Sequence, residues 1–198
     1  TAALAQWLTQ KKDLKYTYRI LFLPETIGSI FYLSKNFKSL QKKVIAGYVL
    51  TCIGDERCFS FVPSRSGNTL SDRVAKHVLH HVDPGYKKYK FLDRGSDERQ
   101  YCSPGIDLPI ASVMRSKYHE YPEYHTSLDN LEFVTAKGLG GGLDVYKKII
   151  TAIENNYNPM YAKYCEPQLG LRGLYSDSTF KTSLIVNLLA YADGEMSL

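Results

Sequence analysis

The sequence predicts an α/β protein in which a mostly parallel or mixed sheet is sandwiched by helices and followed by a helical tail. Apolar, β-branched and aromatic runs of strand length recur at residues 16–23, 44–53 and 108–114. Segments with helical spacing of apolar residues lie between and after them, at 27–37, 69–82 and 143–157. Such alternation is what strand-helix-strand units require. At 198 residues, 44% apolar and 13% aromatic, the chain has the material for one substantial core.

The chain opens with a helix to about residue 11, where Leu4, Trp7 and Leu8 share one face and Thr1 serves as N-cap. Residues 16–23 (YTYRILFL) are apolar on both faces, as a central strand in a covered sheet would be. Pro24 and Glu25 close that strand, and helical spacing resumes at Ile27, Ile30 and Phe31, so Glu25 sits at a strand's carboxyl end. A second buried strand spans 44–53, followed by a turn at 54–56, a short strand at 58–62 and a loop at 64–68. Leu70, Val74, Val78 and Val82 form the stripe of an amphipathic helix. His77, His80 and His81 near its end favour the helix dipole and read as structural. A short strand at 89–92 feeds a polar loop at 93–104, and after the strand at 108–114 an aromatic loop leads to His125. The glycines of Gly138-Leu139-Gly140-Gly141-Gly142 lack the spacing of a phosphate-binding turn, which leaves a hinge or a close-packed turn before the helix at 143–157. Residues 158–176 read as an irregular crossing, and a last helix covers 178–191.

The formal charge is only +5 and the basic residues are dispersed in pairs, so no nucleic-acid footprint is demanded. The four cysteines, at 52, 58, 102 and 165, form no C-x-x-C pair and read as reduced thiols of a cytoplasmic protein. No apolar run has the length of a membrane helix and no signal segment opens the chain. The 16 tyrosines suit half-buried positions and contact surfaces, compatible with a homo-oligomer. Thr1 leads straight into a helix and the chain stops where another would begin, so a fragment or a processed chain is expected.

In sheets of this kind chemistry gathers beyond the carboxyl ends of the strands. Glu25, the Gly95-Ser96-Asp97-Glu98 loop and the 124–130 turn (YHTSLDN) each follow a strand and can converge there. A His beside a Thr/Ser/Asp turn is a common way to present an imidazole at the edge of a metal site. The competing readings are structural: a helix N-cap for Glu25, a solvated turn with local ion pairs for Asp97, and a surface side chain for His125.

These pieces resemble, in the same order, the zinc aminopeptidases of the aminopeptidase-like fold, shared with glutaminyl cyclases. RILFLPETIGS (19–29) resembles their strand ending in a catalytic Glu, and YHTSLDN resembles their late metal-His motif. Ser96-Asp97-Glu98 with residues 105–109 (GIDLP) looks like their Ser-Asp-His and Gly-Ile/Val-Pro segment, and Thr1-Ala2-Ala3-Leu4 like the helix after their metal-bridging Asp. The whole stretch is similar to a bacterial and archaeal aminopeptidase-like group linked to polysaccharide biosynthesis. Where that family has a second, ligating Glu this chain has Thr26, and a ligand Asp position is taken by Thr51.

The resemblance therefore implies one zinc ion, held by His125 and by a His and an Asp expected upstream of Thr1, with Glu25 as general base in peptide or amide hydrolysis. It gives Asp97 or Glu98 the role of holding a substrate amine or orienting the ligands, Asp129 a place in the His motif, and Arg94 or Arg99 an anionic group. The alternatives are a binding or regulatory module that has kept the fold without catalysis, and a glutaminyl-cyclase-like acyltransferase. Residues 1–175 would form the peptidase-like domain and 176–198 a helical tail. Residues 184–198 resemble the start of a winged-helix domain, the one route by which nucleic acid would be a partner.

Overall fold

The computed structural model describes residues 1–162, 164–174 and 179–195, without the side chains of Thr179 and Phe180. The chain divides into two compact units, Thr1–Glu154 and Asn155–Leu198, so the division falls ahead of the expected boundary at 175/176.

The first unit is α/β. Its elements are α1 (Ala2–Thr9), α2 (Ile27–Lys43), β1 (Gly47–Val49), β2 (Ser60–Val62), α3 (Leu70–Val82), β3 (Lys87–Lys88), α4 (Glu98–Tyr101), β4 (Ile110–Met114) and α5 (Ala136–Asn155). The sheet is mixed, in the order β1-β4-β2-β3. β4 pairs parallel with β1 (Tyr48 opposite Ala111) and antiparallel with β2 (Phe61 opposite Val113), while β2 and β3 run parallel.

Alternation along the strands decides which helices cover which face. Tyr48, Phe61, Ala111 and Val113 point into the main core, where they meet Leu4 and Leu8 of α1, Val74, Val78 and Leu79 of α3, and Val145, Ile149 and Ile153 of α5. On the opposite face Val49 and Ile110 pack with Leu33 and Leu40 of α2 and with Cys102 and Leu108. Helix α3 begins in a capping box: Thr69 accepts from Asp72 N while the Asp72 carboxylate accepts from Thr69 N at 2.8 Å.

Several expected elements differ. Residues 16–23 form no strand: strand-prone side chains need a neighbouring ladder, and among the described residues nothing pairs with this segment. The segment is instead pinned by Glu154, which accepts from Lys15 N (2.6 Å) and from the Tyr18 hydroxyl (2.6 Å). The strand expected over 44–53 is confined to Gly47–Val49, and the backbone turns at Cys52, whose φ is 47°. The strand expected at 89–92 lies earlier, at Lys87–Lys88, and a 3-10 turn occupies Phe91–Asp93. The polar loop contains the short helix α4.

The glycine run lies in the first two turns of a helix rather than forming a hinge, because α5 starts at Ala136. A Cβ on Gly138 would lie 1.9 Å from the Gly54 carbonyl oxygen, and one on Gly142 would lie 2.4 Å from Ile53 Cγ1. These glycines let α5 approach the end of the β1 segment.

In the second unit, α6 (Thr179–Ala190) follows a 3-10 turn at Gly170–Arg172. Met160 and Asp193 form an antiparallel bridge, with Tyr161 N donating to Ala192 O at 2.7 Å. The start of the expected 178–191 helix and the end of the 184–198 winged-helix resemblance lie outside the described residues. Among the described residues no helix is long and apolar enough to cross a membrane.

Candidate active site

Thr26, the N-cap of α2, has φ 63°, an unusual backbone for a β-branched residue. The Asp97 carboxylate accepts from Thr26 N at 2.8 Å, and Arg99 donates to the Thr26 hydroxyl at 3.1 Å. The loop before α4 thus fixes the turn that carries Glu25, which stays exposed.

Glu98, one residue on, faces inward and is fully buried. Its carboxylate accepts from Gly95 N (2.8 Å), Ser96 N (3.0 Å), the Tyr118 hydroxyl (2.7 Å) and the Ser112 hydroxyl (3.3 Å). Glu98 therefore braces the loop against β4 rather than facing solvent, and this brace sets where Asp97 and Arg99 stand. Burial, and after it the Glu98 charge, pushes the Tyr118 phenol far above its ordinary value, so Tyr118 is a neutral donor. Arg94 is turned onto the Phe91 ring, its guanidinium 4.5 Å from the ring centre.

The third component follows β4. Tyr118, Tyr121 and Tyr124 recur at every third residue and link through rings: Tyr121 and Tyr124 lie edge to face at 5.6 Å, and His119 lies edge to face with Tyr124 at 4.7 Å. His125 stacks on Tyr124 with centroids 4.0 Å apart and rings 16° from parallel. It has φ 58° and an exposed side chain. Thr126 holds the turn, its hydroxyl donating to Glu123 O (2.9 Å) and accepting from Leu128 N (3.2 Å), and Asp129 is exposed beyond it.

Tyr124 feels the charges of the Glu25 turn and of Arg99. Burial raises its phenol first, the charges of Cys52 and Glu25 raise it further, and Arg99 lowers it. Cys52 lies at the carboxyl end of the β1 segment, where its carbonyl accepts from Arg115 N at 2.8 Å. Its sulfur accepts from the Tyr121 hydroxyl at 3.5 Å, and burial together with that contact raises the Tyr121 phenol.

Asp97 and Arg99 are thus held at the Thr26 turn next to Glu25, and the charges of Glu25 and Arg99 reach Tyr124, while Glu98 is buried and Arg94 lies on the Phe91 ring. The sequence reading missed Cys52 and the tyrosine hydroxyls as members of this surface. The spacing of three between Tyr118, Tyr121 and Tyr124 was the available signal.

No three His, Cys, Asp or Glu side chains among the described residues converge to hold a metal ion. The residues present therefore do not by themselves fit a zinc site.

Residues 1–156 match the sequence model of the family described as a domain of unknown function (DUF4910), and residues 157–198 match that of a winged helix-turn-helix. The chain is 42% identical over 196 residues to a Clostridium acetobutylicum protein named as an inferred polysaccharide biosynthesis protein with aminopeptidase-like domain, covering 95% of this chain and 44% of that protein. It also resembles a crystal structure of an inferred peptidase from Clostridium acetobutylicum, with a TM-score of 0.82 at 39% identity, covering 98% of this chain and 44% of the other. The chain thus spans less than half the length of each.

Proposed function

From the premise that this chain belongs to the DUF4910 family, we propose that it is the Glu25-bearing part of an aminopeptidase-like hydrolase acting on peptide or amide bonds. The observation that carries the reading is the Asp97 contact to Thr26 N at 2.8 Å, which fixes the turn on which Glu25 is exposed. The aminopeptidase-like and peptidase names of its two relatives support the same class.

In this reading Glu25 is the general base. It takes a proton from the attacking water and returns it to the leaving amine, a role for which an exposed carboxylate on a fixed turn is suited. Arg99, held by Thr26 and by the Ser96 carbonyl (3.1 Å), presents a positive group beside it for the developing charge or for a substrate carboxylate. Tyr124 and Tyr121 are neutral donors lining the same surface.

His125 is proposed as this chain's single contribution to a zinc site. With one such ligand the described residues assign no step to the metal. The same shortfall favours a second reading, a peptidase-fold module that binds without catalysis.

Hydrolysis of a panel of amino-acid 4-nitroanilides with and without added zinc separates the two. Release of nitroaniline that follows protein concentration supports the hydrolase, and saturable binding of the same compounds without release supports the module.

A further inference from the structure

The Thr1–Glu154 unit carries a second concave surface that shares no residue with the candidate active site. It is a groove of about 470 Å³ lined by Phe61, Pro63, Gly67, Lys76, His80, Tyr86, Lys88 and Tyr89. That volume lies in the range of small-molecule sites. Pro63 and Tyr89 stand half-buried over the core rings of Phe61 and Tyr86, the rim is basic, and no carboxylate lines the groove.

The basic groups are uncompensated. Lys76 Nζ donates to the Gly67 carbonyl at 2.8 Å, and Lys88 Nζ sits 5.0 Å from the Tyr86 ring centre. Lys117, which does not line the groove, is 5% exposed, with its ammonium 5.1 Å from the ring centre of the lining Tyr89 and its hydrogen bond spent on the Tyr118 carbonyl at 3.2 Å. None of these three lysines is in an ion pair among the described residues. The carboxylates of Glu120 and Asp93 act on the Tyr89 hydroxyl, yet neither lines the groove. Positive groups converging on a concave surface without a carboxylate raise its affinity for an anion.

We propose that this groove binds a small phosphorylated ligand, a phosphate monoester on a sugar or nucleoside. Lysine ammonium groups serve as point charges for phosphate, whereas a carboxylate would favour the planar fork of arginine, which the groove lacks. The half-buried Pro63 and Tyr89 give the sugar or base an apolar face to lie on.

Titrating the 15N-labelled 198-residue protein at constant ionic strength with inorganic phosphate, ribose 5-phosphate and AMP tests this. The expected result is saturable shifts centred on Gly67, Lys76, His80, Lys88 and Tyr89, tighter for the esters than for inorganic phosphate. Because Lys76 and Lys88 are exposed, Lys76→Glu and Lys88→Glu leave the fold intact by circular dichroism and weaken binding at least about tenfold. Shifts that do not saturate, that scatter over the lysine pairs elsewhere, or that survive both substitutions unchanged overturn the proposal. Preference for AMP over ribose 5-phosphate assigns the apolar face to a base, and equal affinity assigns it to the sugar.

Discussion

The Asp97 carboxylate accepts the backbone N–H of Thr26 at 2.8 Å across 71 residues of sequence. This bond joins the turn before α2 to the turn before α4, and it places an anion at the amino end of α2, where unpaired N–H groups and the helix dipole favour one. The candidate site is organised around it.

Asp97→Ala removes the acceptor of the Thr26 N–H at a positive-φ position. A loss of about 1–2 kcal/mol of stability is expected from a charge-assisted bond at a helix end. Urea denaturation measures the loss, and hydrogen exchange locates it: the Thr26 amide exchanges faster by more than the core amides of α3 do.

Gly138→Ala and Gly140→Ala separate packing from helix propensity on one turn of α5. A Cβ at 138 meets the Gly54 carbonyl oxygen at 1.9 Å, whereas one at 140 meets nothing within 4 Å. The first substitution costs about 3 kcal/mol or more by overpacking, and the second stabilises by up to about 1 kcal/mol through propensity. Denaturation midpoints of opposite sign relative to the wild type are the expected outcome.

Arg57 grips Glu123 with two hydrogen bonds, of 2.8 and 2.6 Å, and ties the turn after Cys52 to the loop that leads into His125. The Arg57 guanidinium holds the Glu123 carboxyl below the usual glutamate value of 4.5. A depressed carboxylate contributes stability above its unfolded-state value and loses it as pH falls through the folded-state value. The melting-temperature gap between the wild type and Arg57→Ala is therefore widest above about pH 4.5 and closes below it, and added salt narrows it at neutral pH. A gap that widens on acidification contradicts this pairing.

The parts of the fold that follow from local periodicity were legible in the sequence. The stripes Leu70-Val74-Val78 and Tyr146-Ile149-Ile150-Ile153 gave α3 and the later part of α5, and the run at 108–114 gave β4. The segment at 16–23 was misread because a strand exists only with a partner, and pairing is a non-local property that composition does not carry. The beginning of α5 was missed for the converse reason. Glycine has low helix propensity, but here its missing Cβ is what lets the helix touch Gly54, and tertiary contact outweighs propensity.

In the site, only the His125 turn follows a strand as read, because β4 precedes it; Glu25 and Asp97 follow segments that form no strand where one was expected. That Glu98 is buried and Asp97 is not could not be read, because both are acidic neighbours in one polar loop. The difference rests on Tyr118 and Ser112, which the fold brings from β4 and just beyond it.

The central claim is that Glu25 is the base. Its most direct test is kcat for amino-acid 4-nitroanilide hydrolysis by wild type and Glu25→Gln, measured with matched circular dichroism and matched zinc content. The account predicts a fall in kcat of about 10²–10⁴-fold with KM little changed. Wild-type kcat in Glu25→Gln would contradict it.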